Sequence, residues 1–126
     1  MIDREIIQDL ATQLVNIYFA AKNCHWFSKT YGNHLLFDRI ADGLLDHLDA
    51  LMETGLMSSE KYYPITFSVV TADNISHYIT TLWDMLQKLL DSIQASIDVF
   101  PEAVKNELSG LSQDIQTKIN LLSMVE

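Results

Sequence analysis

Apolar residues return every third or fourth position in four long stretches of this chain, and almost nothing interrupts them. Ile7, Leu10, Leu14, Tyr18 and Ala21 form the first stripe. Leu36, Phe37, Ile40, Leu44, Leu48 and Leu51 form the second. The third runs through Ile79, Leu82, Leu86, Leu89, Leu90, Ile93 and Ile97, and the fourth through Val104, Leu108, Leu111, Ile115, Ile119 and Leu122. That spacing is one face of an α-helix. Only 4 Gly and 2 Pro stand in 126 residues, so there are few places for the chain to turn. The pattern predicts helices over about 2–27, 34–57, 73–99 and 101–124. A turn at 28–33, signalled by Gly32-Asn33, joins the first two, and a long connection containing Pro64 fills about 57–73. Its run ITFSVV has strand-like composition, but one such run cannot build a sheet, so it is expected to pack over the helices. The predicted fold class is all-α: a single four-helix bundle domain over 1–126 with a long connection between the second and third helices.

Composition narrows the partners. Eight Lys and Arg stand against 17 Asp and Glu, a formal net charge of −9, with no basic run. Duplex binding relies on clustered cations that release counterions from phosphates, so no direct contact with nucleic acid is expected. An acidic chain attracts cations instead. Cys24 is the single cysteine, which excludes a disulfide within the chain and fits a reducing compartment. No apolar run is long enough to span a membrane, and the opening MIDREIIQDL does not resemble a secretion signal. A cytoplasmic location is expected.

The second stripe carries more than a core face. At about 100° per residue, His34, Asp38, Asp42, Asp49 and Glu53 share an arc of about 100°, turned away from the apolar stripe. Ala41, Leu45, Met52 and Leu56 are interleaved with them, so this second face is part-apolar and calls for a partner outside the chain. His34 and Asp38 are one turn apart, as are Asp49 and Glu53. Imidazole and carboxylate together suit iron, with zinc or manganese as substitutes. On one continuous helix Asp38 and Asp49 would stand roughly 16 Å apart at about 1.5 Å per residue, too far to share an ion. An antiparallel second copy, centred near Gly43 and Leu44, brings Asp38 opposite the partner's Asp49 and His34 opposite the partner's Glu53. His25, at the end of the first helix, falls near His34. Each of two identical sites then takes His25, His34 and Asp38 from one subunit and Asp49 and Glu53 from the other. His47 lies by the core face and reads as structural.

The pair His25-Trp26, followed by His34, Asp38, Asp49 and Glu53 as H-x3-D-x10-D-x3-E, resembles Dps, the mini-ferritin family of DNA-binding proteins from starved cells. HLDALME, from His47 to Glu53, is similar to that family's second helix. The resemblance implies a ferritin-like four-helix bundle, with the five named residues as metal ligands and catalytic groups between two-fold-related subunits. It implies a hollow dodecamer that oxidises Fe(II), preferably with hydrogen peroxide, and stores ferric mineral. This chain has no basic N-terminal tail of the kind many members use on DNA, and Thr54 stands where the family often has Arg. A different class stays open: a non-catalytic helical dimer or oligomer with a structural or vestigial metal site.

Overall fold

The computed structural model describes residues 3–67 and 75–126. Among them it is all-α: α1 (Arg4–Phe27), α2 (Tyr31–Ala41), α3 (Leu44–Gly55), α4 (Ile75–Ser96) and α5 (Glu102–Leu122), with a short 3-10 turn at Ile97–Val99. Asp3 caps α1, its carboxylate accepting from the backbone N–H of Glu5 and Ile6. Pro101 stands at the N-cap of α5, where its missing N–H costs nothing.

The second predicted helix is two helices, and its start lies earlier than Gly32-Asn33 suggests. Thr30 is the N-cap of α2 and accepts from the N–H of Asn33, so Gly32 and Asn33 sit inside the first turn. The helix then breaks at Asp42-Gly43. Gly43 has φ 79°, the left-handed region that only glycine enters without strain, and α3 starts afresh behind it. The break frees carbonyl groups, and Lys118 of α5 satisfies two of them: its Nζ donates to the oxygen of Asp42 at 2.7 Å and of Arg39 at 3.3 Å.

Taken as one bent rod, α2–α3 completes a four-helix bundle. Gly55 meets Ile7 so closely that an added Cβ would lie 2.7 Å from Ile7 Cδ1, while His34 bonds to His25 at the other end. The rod is therefore antiparallel to α1. Gln13 of α1 bonds to Ser92 of α4, and Ile17 shares a cavity with Met85, so α4 is also antiparallel to α1. The connection between rod and α4 must then cross the bundle lengthwise. It does so along α1: Pro64 O accepts from Gln8, Thr66 N donates to Thr12 Oγ1, and Phe67 lies 6.2 Å from Phe19, ring to ring. Tyr63 and Ile65 pack on the core. The expectation of a segment laid over the helices holds for 62–67, and no strand occurs among the described residues; the rest of ITFSVV lies outside them. α5 returns antiparallel to α3, with Asp114 beside His47 and Lys118 beside Asp42.

The core draws on all four stripes, with Leu14, Phe37, Leu86 and Leu108 fully buried. Ala41 and Leu56 are buried in it too. The second apolar face is thus narrower than the helical wheel predicts: Leu45 is exposed and Met52 is partly buried against the core. Ala41 borders the core stripe of α2 beside Phe37 and Ile40, and Leu56 lies past the end of α3 at its C-cap, where φ is −125° and the helical wheel no longer applies. No helix among the described residues is long and apolar enough to cross a membrane.

Candidate metal centre

The end of α1 and the start of α2 hold the two histidines against each other. Their rings stack with centroids 3.8 Å apart and 22° between planes. His25 Nδ1 lies 2.6 Å from His34 O, and His34 Nδ1 lies 2.8 Å from His25 O. A carbonyl only accepts, so each ring carries its N–H on Nδ1. The remaining nitrogen, Nε2, is left with the lone pair in the neutral ring. Fixing a tautomer by a bond from the other nitrogen to a backbone carbonyl is how metal-ligating histidines are oriented. The same bonds also serve the fold, because His25 O belongs to the last turn of α1, whose carbonyls lack helical partners.

Asp38 stands beside this pair but is turned to Lys22, with Nζ to Oδ1 2.8 Å. The hydrogen bond from Lys22 holds the Asp38 carboxyl below its ordinary 3.8, helped by the Lys22 charge and, less, by the two histidines. The bond to Asp38 raises Lys22 above 10.5. The ion pair therefore stabilises the fold above about pH 4, where Asp38 would ionise anyway, and fades as acid reaches its lowered value. At the other limit it is present below 10.5 and fades as alkali reaches the raised value of Lys22. Lys22 sits against the Asp38 carboxylate and would compete with any cation bound there. Exchanging Lys22 for Met should tighten Zn(II) binding on the order of tenfold, about 1.4 kcal/mol, by calorimetric titration at neutral pH. Unchanged affinity would remove Asp38 from the ligand set.

A polar cleft of about 240 Å³ opens next to Asp38 at the helix break, lined by Tyr18, Lys22, Asp42, Leu45 and Asp46 among others. Asp49 and Glu53 lie one turn apart on α3, both exposed. Among the described residues, no three of His, Cys, Asp and Glu come together within one chain to hold a metal. The chain thus brings His25 to His34, sets Asp38 alongside, and leaves Asp49 and Glu53 on the other arm of the rod.

Other polar residues have structural partners. His47 Nε2 donates to Asp114 Oδ2 at 3.0 Å, joining α3 to α5. Lys118, 4% exposed, reaches the same carboxylate at 3.6 Å. Lys118 and Asp114 were not singled out from sequence, although Lys118 falls on the apolar stripe of its helix, three residues after Ile115 and four before Leu122. Cys24 is fully buried, and burial pushes its thiol up to about 12, which disfavours the reactive thiolate. Trp26 is exposed at the end of α1.

The chain matches no family model, no curated protein and no solved structure.

Proposed function

We propose that the protein is a Dps-like mini-ferritin that oxidises Fe(II) at sites shared between two copies of the chain. The observation that carries this reading is the His25–His34 pair, two imidazoles anchored through Nδ1 with Nε2 left for a metal. The bundle topology supports it, since four helices with one lengthwise crossover are the ferritin-like layout. So does the bend in the rod. The register that sets His34 opposite the partner's Glu53 and Asp38 opposite the partner's Asp49 has its two-fold centre between Gly43 and Leu44. The bend lies there, so α2 of each copy can run along α3 of the other.

Iron is the substrate, and the residues fit it. Histidine nitrogen fixes one ion, while carboxylates from the second copy neutralise charge and leave coordination positions open. Two Fe(II) ions each give one electron to hydrogen peroxide. Its O–O bond breaks and two protons complete two molecules of water, leaving two Fe(III). A hollow dodecamer would add storage of the ferric product, whereas a dimer confines the activity to oxidation.

The test is to load the protein with Fe(II) anaerobically and add peroxide. Rapid formation of Fe(III) at two ions per peroxide, slowed at least a hundredfold by Glu53→Ala, is expected. A rate equal to that of protein-free Fe(II) would overturn the reading. One observation favours the alternative of a non-catalytic helical dimer or oligomer with a structural or vestigial metal site: Lys22 already balances the charge of the Asp38 carboxylate without a metal.

A further inference from the structure

α2 has only 11 residues, and the break at Gly43 uncouples it from α3. Isolated helices of that length are marginal in water, so contacts from other elements must hold it in place. α5 and the turn behind it supply them at both ends. At the far end Lys118 Nζ donates to the carbonyls of Arg39 and Asp42. At the near end the chain folds back after α5, with Met124 N donating to Leu121 O and Val125 N to Leu122 O. Val125 packs on the core, and the turn delivers the backbone of Glu126 to the first turn of α2. There the Asn33 amide makes two bonds. Its Nδ2 donates to Glu126 O at 3.1 Å, and its Oδ1 accepts from Glu126 N at 3.0 Å. His34 is the next residue along α2.

We propose that Asn33, through this clasp on the backbone of residue 126, is a positioning residue that holds His34 against His25. The inference rests on the reading of His34 as a metal ligand, and adds what keeps that ligand in place. The His34 ring is tied to α1 by one bond, from Nδ1 to His25 O at 2.8 Å, and by its stack on the His25 ring. Both contacts require the first turn of α2 to stay wound, and helix ends fray. The Thr30 cap secures that turn from within, through the bond it accepts from Asn33 N. The clasp secures it from α5, which Lys118 already fixes to the other end of α2. Asn33 touches neither ring. It acts through the backbone, by denying the first turn the freedom to part the two imidazoles.

Hydrogen exchange followed by magnetic resonance on metal-free protein reads the positioning, and calorimetric titration with Zn(II) reads its consequence. The probes are the His34 amide, which donates to Thr30 O within the first turn, and the His34 Nδ1–H. Asn33→Ala removes both bonds of the clasp. Alanine is the better helix former, so any loosening comes from the lost clasp and not from propensity. Glu126→Pro removes only the N–H that Asn33 accepts. Glu126→Ala keeps both bonds, because the clasp uses the backbone alone. Asn33→Ala should speed exchange at both probes on the order of tenfold and weaken Zn(II) binding about tenfold. Glu126→Pro should move both in the same direction, and Glu126→Ala should match wild type, with circular dichroism confirming that every variant is folded. Unchanged exchange in Asn33→Ala would overturn the proposal, and so would faster exchange with Zn(II) affinity intact. The two readings fail separately. If wild type binds no Zn(II) but exchange still answers to Asn33→Ala, the clasp stands and His34 is no ligand. If Zn(II) binds with equal strength in wild type and Asn33→Ala, the ligand reading stands and Asn33 is removed from it.

Discussion

Exchanging Lys118 for methionine is expected to lower the free energy of unfolding by about 2–4 kcal/mol. Methionine matches the unbranched stem, so the change opens little cavity. What it removes is the buried ammonium that donates to Asp42 O and Arg39 O and faces the Asp114 carboxylate. The bend at Gly43 frees those carbonyls from helical bonds, and an unpaired buried acceptor keeps its full desolvation penalty. Urea unfolding should show a lower midpoint with an unchanged slope. A change under about 0.5 kcal/mol would mean that water can replace Lys118 and that the bend is held by Gly43 alone. On the shared-site proposal the two-fold axis passes through the bend, so the variant is expected to lose cation affinity as well as stability.

The bend was the part of the fold least legible in the sequence. The four stripes read directly as helices, because burial of one face every 3.6 residues leaves a local record. The long connection was legible for the same reason, as a gap in that record. The two glycine dipeptides were not. Gly32-Asn33 looks like a turn yet lies in a helix, because Thr30 caps the chain two residues before Gly32. Asp42-Gly43 looks tolerable inside a helix yet breaks it, because Lys118, far off in the sequence, compensates the loss. A local reading sees the cost of a break and not the distant residue that offsets it. The candidate site divides the same way. The His25–His34 contact followed from a short turn and the end of one helix. The hold of Lys22 on Asp38 spans 16 residues, and left only a faint trace in spacing, three positions before His25. The narrowing of the second apolar face, with Ala41 and Leu56 turned inward, escaped the helical wheel because Ala41 borders the core stripe of α2 and Leu56 lies past the end of α3.

Mixing a His34→Ala chain with an Asp49→Ala chain is expected to restore iron oxidation that neither chain shows alone. Each homodimer has both of its sites damaged, one set lacking an imidazole and the other a carboxylate, and should oxidise Fe(II) at no more than about a hundredth of the wild-type rate. A mixed dimer is different. One site takes His25, His34 and Asp38 from the Asp49→Ala chain and Asp49 and Glu53 from the His34→Ala chain, so all five ligands are native. The second site carries both lesions. With random exchange half the dimers are mixed and half their sites are whole, so recovery should approach about a quarter of the wild-type rate. The measurement is initial Fe(III) formation after anaerobic loading and peroxide addition, with mixed dimers verified by mass on differently tagged chains. Both replaced side chains are partly or fully exposed, so neither change should unfold the bundle, and the two variants fail for chemical reasons alone. If verified mixed dimers stay inactive, His34 and Asp49 of different chains do not meet at one ion. The carboxylates of α3 would then serve some other purpose than completing the histidine pair.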